Sequence, residues 1–472
     1  MELVYLWVEE YKNIHEQGFN FSPKFHCNYD VKTNKLTIDD NPNYIENFFG
    51  DNINVTAIVG KNGSGKSSII RRISWDYILI NDDSNLCAVG FRENNFKNIP
   101  INFQKSIIYV NSDLMQPSEF DCGACDAVYP SNNNLYKLME SSGSLENNFN
   151  SENFYRNFQT LMIEYANIFS TNIFSYNPSY VKLYINEDVA WEDNIRTTIE
   201  NDDVENFISF LKQNKNSKID IEEFKESFFR YKDSFYKVDN EKIRIEIYDN
   251  IERQYFHLSQ GERKVFTELL MIYDAIYKHT NNNLLLILDE PDLTLHPDWQ
   301  KKYFKELISI LKLLEKNIHL IVTTHSPFLL SDIPKQNIIF LDTDEEGKCK
   351  VLKHDEVMNK KQTFGANIHT LLSDSFFIDD GLMGEFAKGK INEIIDFHKI
   401  VAKEKHKECL IKIYNKRKKN LWQTQSIIGE EYLKQVIKNH LIEIEKILLG
   451  KDKAKEEEIK RTKEYLKSLE DE

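Results

Sequence analysis

Short apolar runs predict several strands along this chain. The runs at 55–59 and 284–288 are unbroken, and the run that begins at Ile321 ends in polar residues. An apolar run of this length is too short for a helix that buries one face. It is typical of a strand covered on both faces of a parallel sheet. Further strand character is found at 3–8, 35–38, 106–110, 243–247 and 338–341.

Helical periodicity dominates two other parts of the chain. Residues 264–277 form an amphipathic run behind the capping residue Ser259, and helical periods follow Leu382 to the end. The stretch 451–472 is dense in acid–base pairs at helical spacing. Together with the strands, these segments predict an α/β fold with a helical C-terminal region.

The segment between about 114 and 240 has a different character. It is rich in Asn and aromatic residues, has turn signals at Tyr129-Pro130 and Asn177-Pro178, and lacks sustained heptads. A coiled coil needs apolar positions that repeat every 3.5 residues over several heptads. We therefore predict a compact, mainly helical insert.

A glycine-rich loop follows the strand at 55–59 and precedes a helix start. Its sequence is GKNGSGKSS, and we expect nucleotide contacts from Gly60, Asn62, Gly63, Ser64, Gly65, Lys66, Ser67 and Ser68. A strand, such a loop and a helix N-terminus together favour phosphate binding, because backbone N–H groups and the helix dipole point at one anion. Lys66 is predicted to reach the β- and γ-phosphates, and the Ser67 hydroxyl to hold Mg²⁺.

Two acids close the strand at 284–288. Asp289 and Glu290 come at its carboxyl end, which is where open α/β sheets place ligands. Asp289 is predicted to bind Mg²⁺, and Glu290 to orient and deprotonate a water molecule. A capped helix start at 258–263 and a histidine, His325, after the next strand are weaker signals when taken alone.

The order of these four segments resembles the ATP-binding cassette superfamily. The motifs are the P-loop, LSQGER, LLLILDEP and THS, and the continuation DEPDLTLHP is similar to the RecF, SMC and overcoming-lysogenization branch. The resemblance implies that Ser259 and Gly261 contact the γ-phosphate of ATP held by a second head, and that His325 senses that phosphate. It also implies that Asp292 and His296 lie near the head–head interface.

Most of the chain also resembles one particular subfamily. YKNI near residue 11, the P-loop segment and TFGANIHTLLSDSFFIDDG resemble the ATPase subunit of the Septu anti-phage system and its retron-linked form. It implies a separately encoded HNH nuclease as partner. Lys12-Asn13 resembles a short element by which such heads approach the nucleotide. Asn111 or Ser112 stands where the superfamily has a glutamine.

One segment resembles part of a nuclease metal site. Asp342-Thr343-Asp344 follows a strand, as in the metal site of toprim domains, but Glu346-Gly347 turns at once into Val351-Leu352. We therefore predict a hairpin at this point. No nuclease motif is found after residue 356, and the histidines His369, His398, His406 and His440 are interpreted as structural.

Composition limits the partners. The formal net charge of −15 disfavours broad nucleic-acid contact, so nucleic acid is expected through the complex or at a local patch. The basic candidate is Lys412 with 416–419, although a solvated helix face is the preferred interpretation. No apolar run reaches the ~20 residues of a membrane span, and the N-terminus lacks the layout of a signal peptide. The six cysteines are expected to be reduced thiols in the cytoplasm, with a zinc site at Cys122 and Cys125 disfavoured.

These observations combine into one organisation and three functional hypotheses. We predict a first head lobe at 1–113, an insert at 114–240, a second head lobe at 241–355 and a helical partner or oligomerisation region at 356–472. The preferred function is a Mg²⁺-dependent ATPase that dimerises through its heads and regulates a defence nuclease. The alternatives are a RecF-like repair ATPase that binds DNA directly and a scaffold that binds ATP with little turnover.

Overall fold

The chain forms two compact units, residues 1–378 and residues 379–472. In this computed structural model the described residues are 2–42, 44–73, 77–82, 85–89, 91, 97–98, 106–111, 151–169, 171, 173–186, 191–199, 203–238, 242–352, 361–374, 383–404 and 407–470. Cys122, Cys125, Ser112, Tyr129-Pro130 and His406 lie outside these ranges, as does the side chain of Asn111. The division into four regions stays a prediction.

A six-stranded mixed sheet is the centre of the first unit. Its order is β16-β15-β5-β14-β13-β9, and all neighbouring pairs are parallel except the antiparallel edge pair β15–β16. The strands are β5 (Ile53–Gly60), β9 (Ile107–Asn111), β13 (Asn283–Asp289), β14 (Asn317–Thr323), β15 (Ile338–Thr343) and β16 (Cys349–Val351). The predicted hairpin is confirmed, since Leu341 pairs with Val351.

Both faces of this sheet are buried, as the unbroken apolar runs predicted. Along β13, Leu284, Leu286 and Leu288 belong to one core, whereas Leu285 and Ile287 belong to the core on the opposite face. This alternation follows from the period of two along a strand. The fold is therefore the predicted α/β head with a mixed sheet between two layers.

A second, largely antiparallel sheet covers one face. Its order is β2-β1-β6-β7-β8, and it packs on the main sheet together with α1 (Lys66–Arg72). The strands are β1 (Glu2–Tyr11), β2 (Ile14–Asn20), β6 (Tyr77–Asp82), β7 (Asn85–Val89) and β8 (Lys97–Asn98). The strands β3 (Phe25–Asp30) and β4 (Lys35–Asp40) form a separate hairpin.

Helices cover the opposite face. The long helices α8 (Gln260–Lys278) and α9 (Pro297–Leu311) pack there, with the short helices α10 (Pro327–Leu330) and α11 (Ile368–Asp374) later in the chain. The helix predicted at 264–277 is thus confirmed within α8. Among the described helices, none combines the length and hydrophobicity that a bilayer crossing requires.

The described part of the insert shares this second core. It has six helices among the described residues, α2 (Ser151–Glu164), α3 (Ala166–Phe169), α4 (Trp191–Thr198), α5 (Val204–Asn214), α6 (Ile221–Arg230) and α7 (Lys232–Lys237). It also has the strands β10 (Pro178–Ile185) and β11 (Lys218–Asp220), which form a sheet of order β11-β10-β12. The predicted strand at 243–247 is β12 (Ile243–Asp249), and it pairs with the insert rather than with the main sheet.

The second unit is helical, as predicted. Its helices are α12 (Glu385–Lys403), α13 (Glu408–Ser426), α14 (Glu431–Leu449) and α15 (Lys451–Glu470). A separate apolar core built on Ile394, Tyr414, Ile437 and Leu441 holds α12, α13 and α14 together. His398 and His440 contact each other across α12 and α14, with their Nδ1 atoms 2.7 Å apart.

Candidate functional site

The P-loop lies between β5 and α1, and the structure gives physical reasons for its glycines. A Cβ at Gly60 would lie 2.5 Å from the Leu341 carbonyl oxygen of the neighbouring strand. Gly63 and Gly65 have φ values of 79° and 106°, which favour glycine. Asn13 donates from Nδ2 to the Gly63 carbonyl at 2.8 Å, so the predicted Lys12-Asn13 element does lie against the loop.

Lys66 is a buried cation whose hydrogen bonds, within the described residues, go to backbone carbonyls. Its Nζ donates to the carbonyl oxygens of Gly60 at 3.0 Å and Lys61 at 3.2 Å. No carboxylate among the described residues forms an ion pair with it. Burial lowers the pKa of Lys66, and the charges of Glu290 and Asp289 act in the opposite direction. A polyphosphate would supply the missing anion, and the buried Ser64 hydroxyl likewise has no hydrogen-bond partner in this part of the chain.

Asp289 and Glu290 lie at the carboxyl end of β13, two strands away from the P-loop strand. Asp289 is buried, and its Oδ1 accepts from the Thr323 hydroxyl at 2.5 Å while its Oδ2 accepts from the Tyr109 hydroxyl at 3.1 Å. Both hydrogen bonds fix the carboxylate in one orientation. Carboxylate and hydroxyl oxygens are ligands that Mg²⁺ prefers, so Asp289 and Ser67 fit this metal.

Glu290 has a strained backbone and lies beside a histidine. Its φ is 52°, a region that side chains other than glycine rarely adopt. The Glu290 N–H donates to the Thr323 hydroxyl at 2.9 Å, and His325 Nε2 lies 3.4 Å from Glu290 Oε1. Hydrogen bonding to His325 lowers the pKa of Glu290, helped by the charges of His325 and Lys66. The structure thus brings together the predicted base and the predicted switch histidine.

The loop after Glu290 is anchored by the residue that follows β14 and by α8. Asp292 is buried and accepts from the Thr324 hydroxyl at 2.8 Å, while burial raises the pKa of Asp292. Lys264 of α8 donates to the Leu293 carbonyl and, at 3.3 Å, to the Thr294 hydroxyl. His296, largely exposed, caps α9 by accepting from the Asp298 N–H at 3.3 Å.

The LSQGER segment forms the capped start of α8. The Ser259 hydroxyl accepts from the Glu262 N–H at 3.3 Å, and Glu262 accepts from the Ser259 N–H at 2.9 Å. A Cβ at Gly261 would lie 2.7 Å from Cδ1 of Trp299 in α9, which explains the glycine. Within the described ranges, no hydrogen bond or ion pair joins Ser259 or Gly261 to the P-loop of the same chain.

Sequence reasoning missed the residues that orient the two acids. Thr323 and Thr324 each donate to a carboxylate and accept from a backbone N–H, and Tyr109 supplies the second donor to Asp289. Gln300 joins two loops, because it donates to the Leu295 carbonyl and accepts from the Ser326 hydroxyl. Two threonines at the end of an otherwise apolar strand were the available signal.

This chain is similar in sequence and in fold to known proteins. A family model described as "AAA domain, putative AbiEii toxin, Type IV TA system" matches residues 172–331, which include LSQGER, Asp289, Glu290 and His325. A solved SMC head domain from Thermotoga maritima is 13% identical, with a TM-score of 0.34, and covers 75% of this chain and 98% of its own.

Three curated relatives share limited segments with this chain. Protein ea59 of Escherichia phage lambda is 27% identical over 147 residues, which are 30% of this chain and 25% of that protein. The retron Ec83 probable ATPase of Escherichia coli is 32% identical over 108 residues, 21% of this chain and 19% of that protein. The Septu protein PtuA of Bacillus thuringiensis is 29% identical over 132 residues, 28% of this chain and 31% of that protein. The chain therefore spans less than a third of the length of each of these three relatives.

Proposed function

We propose that this chain, an ATPase of the ABC and SMC type related to Septu PtuA and the retron ATPases, hydrolyses ATP within an anti-phage defence complex. One observation carries the ATPase proposal. A buried lysine, a fixed aspartate and a glutamate paired with histidine converge at the carboxyl ends of adjacent parallel strands. The resemblance to the ATPase subunit of the Septu anti-phage system, together with relatives named Septu protein PtuA and retron probable ATPase, supports the defence context.

The proposed chemistry uses the residues in separate roles. Lys66 and the N–H groups of the P-loop bind the phosphates and stabilise the charge that develops during transfer. Ser67 and Asp289 are the residues that would hold Mg²⁺, which neutralises phosphate charge when bound. Glu290, kept ionised by its lowered pKa, accepts a proton from the attacking water, and His325 holds the carboxylate in position.

We propose that a second head completes the site. Ser259 and Gly261 start α8 on a surface that makes no hydrogen bond to the chain's own P-loop within the described residues. Nearby side chains are also exposed, with Phe256 at 53% and Leu293 at 49%. A second copy that places its α8 N-terminus on the γ-phosphate would bring an N–H-rich helix end to an anion and cover these apolar groups.

We also propose a regulatory role that depends on the ATPase function. ATP-dependent closure of two heads would change the surface offered to a separately encoded HNH-type nuclease, because ATP binds the closed pair better than the open one. Nucleic acid would then be cut by the complex. This step rests on the resemblance to the Septu subunit and on the related proteins named above.

Two variants test the ATPase proposal. With Lys66→Ala we expect loss of fluorescent-ATP binding, because the buried ammonium is the main cation at the phosphates. With Glu290→Gln we expect ATP binding to persist while hydrolysis stops, and an ATP-dependent dimer to accumulate on size-exclusion chromatography. Lys301→Ala, at an exposed lysine on α9, is the control. Equal ATP affinity for Lys66→Ala and the wild type would refute the assignment.

Co-expression with neighbouring open reading frames tests the regulatory step. We expect nuclease activity to require a co-purifying partner and to change with ATP and with Glu290→Gln. A chain that hydrolyses ATP normally but neither recruits a nuclease nor alters one would retain the ATPase function and exclude the regulatory role.

A further inference from the structure

A groove of about 980 Å³ lies along the helical unit, and all of its lining residues belong to that unit. It is lined by the second half of α13, the first half of α14 and the middle of α15. Its basic side chains are Lys418, Lys419, Lys434, Lys438, Lys460 and Arg461. Glu431, Glu457 and Glu458 are its acidic side chains, so the lining is positive in a chain whose net charge is −15.

The basic side chains of the groove differ in whether they have an internal partner. Lys418 lies 2.9 Å from Glu457, and Lys434 lies 3.6 Å from Glu431. Lys419, Lys438 and Lys460 form no ion pair within the described part of the chain. Uncompensated lysines that share one groove raise the local potential and attract a polyanion.

Arg461 and Trp422 both line the groove and together form a platform in which the guanidinium lies over the ring. The Arg461 guanidinium lies 3.7 Å from the centre of the Trp422 ring, and its two terminal nitrogens donate to Glu445 at 2.8 and 2.7 Å. Glu445 is fully buried and also accepts from the Tyr414 hydroxyl at 2.7 Å. The side chain of Arg461 is 23% exposed, so part of this fixed stack faces the groove.

We infer that this groove binds a single-stranded polynucleotide. The backbone phosphates would lie on Lys419, Lys438 and Lys460, and a base would stack on the Arg461–Trp422 platform. Stacking on aromatic rings and guanidinium planes beside a basic track is how single strands are held without sequence preference. Asn415, Gln423 and Gln435 line the same groove and offer amide groups to base edges.

The platform favours a nucleic-acid strand over an acidic peptide. A carboxylate is best recognised by the forked N–H groups of arginine, and the fork of Arg461 is already occupied by Glu445. Its planar face stays suited to a base. The acidic remainder of the chain repels phosphates elsewhere, which directs a strand to this groove.

Fluorescence anisotropy of the 472-residue chain tests this inference. The probes are labelled oligothymidylate and oligouridylate, which distinguish DNA from RNA, measured over a series of salt concentrations. The variant K419E/K438E/K460E is expected to weaken binding about tenfold or more. It should also reduce the slope of log affinity against log salt by about 2, since each phosphate contact to a single strand contributes ~0.7.

The matched control K412E/K416E/K453E makes the same charge change on exposed lysines of this unit outside the groove. We expect it to bind nearly as the wild type does. Thermal unfolding of each variant verifies folding, and Arg461→Lys, which keeps the charge but removes the plane, should weaken binding without changing the salt slope. Three outcomes would overturn the inference: no binding of either probe at low salt, equal losses in both triple variants, or displacement of the probe by polyglutamate as readily as by an unlabelled oligonucleotide.

Discussion

Thr323 joins the two acids at the end of β13. Its hydroxyl donates to Asp289 and accepts from the backbone N–H of Glu290, whose φ is 52°. Valine has nearly the same shape but neither donates nor accepts. If Asp289 holds Mg²⁺ as proposed, we expect Thr323→Val to lower the ATPase rate about 10–100-fold, as is usual when the hydrogen-bond partner of a metal ligand is removed.

The measurement is kcat and the Mg²⁺ concentration for half-maximal rate. Thr323→Ser, which keeps the hydroxyl, should retain most activity, and both variants should bind fluorescent ATP through the intact P-loop. A Thr323→Val enzyme with wild-type kcat and Mg²⁺ dependence would show that Asp289 is oriented without this hydrogen bond.

Glu268 predicts a pH dependence of stability. It lies on α8, is 2% exposed, and hydrogen bonds through Oε1 to the Tyr303 hydroxyl, while its Oε2 has no partner among the described residues. Burial raises the pKa of Glu268 to about 7, from 4.5 in the unfolded chain. The folded state therefore retains a proton that the unfolded state loses, and stability falls as pH rises from about 4.5 to about 7.

The loss amounts to at most about 3 kcal/mol for this group. Glu268→Gln mimics the protonated form, so its unfolding midpoint in denaturant should decline less than that of the wild type between about pH 5 and about pH 8. Burial also raises the pKa of Glu306 to about 7, and Glu306→Gln should remove a further part of the slope. Identical slopes for wild type and Glu268→Gln would mean that Glu268 is ionised in the folded chain.

The candidate site was predictable where local sequence dictates geometry. Gly63 and Gly65 stand out because the loop needs positive φ, and Asp289 stands out because it ends a buried strand. The roles of Thr323, Tyr109 and Gln300 depend on side-chain directions between strands distant in sequence. No local pattern fixes these directions, so the hydrogen-bond network around the acids was not foreseen.

Lys264 connects α8 to the loop that follows Glu290. It donates to the Leu293 carbonyl and the Thr294 hydroxyl, and Thr294 itself has a φ of 71°. A strained loop keeps its conformation only while its surroundings fix it. We expect Lys264→Met to lower the ATPase rate several-fold while ATP affinity at the P-loop stays unchanged.

Steady-state kinetics and fluorescent-ATP binding separate these two effects. Lys301→Met, an exposed lysine on the adjacent helix α9, is the matched control and should behave as the wild type. A parallel loss of affinity and rate in Lys264→Met would indicate general unfolding of the head rather than a local effect on this loop.

The sequence predicted the positions of several strands and helices better than it predicted how the strands pair. The apolar runs of β5, β13 and β14 identified buried strands, and the capped start of α8 identified its helix. Which strands pair with each other was harder to predict from the sequence. The pairing of β12 with β10, for instance, joins residues about sixty positions apart, and alternation along β12 specifies a half-buried face but not which strand lies beside it.

The composite site makes a prediction for mixed dimers. In the proposed closed pair, each ATP is bound by Lys66 and Glu290 of one copy and by Ser259 of the other. Ser259→Arg places a bulky cation on an exposed capping position, so this variant and Lys66→Ala should each be inactive alone. When the two variants are mixed in equal amounts, half of the dimers contain one chain of each variant. Each of these dimers has one site in which a wild-type P-loop faces a wild-type Ser259.

Restored activity of about a quarter of the wild-type value is therefore expected from random pairing in a two-fold symmetric dimer. The matched control is a mixture of Lys66→Ala and Glu290→Gln. These changes affect the same half of the site, so every site in such a dimer carries a defect and activity should stay near zero. Recovery in the first mixture but not in the second would require two chains to share one active site. Absence of recovery in both, with dimers present, would instead assign Ser259 to its own head and leave its role as the cap of α8.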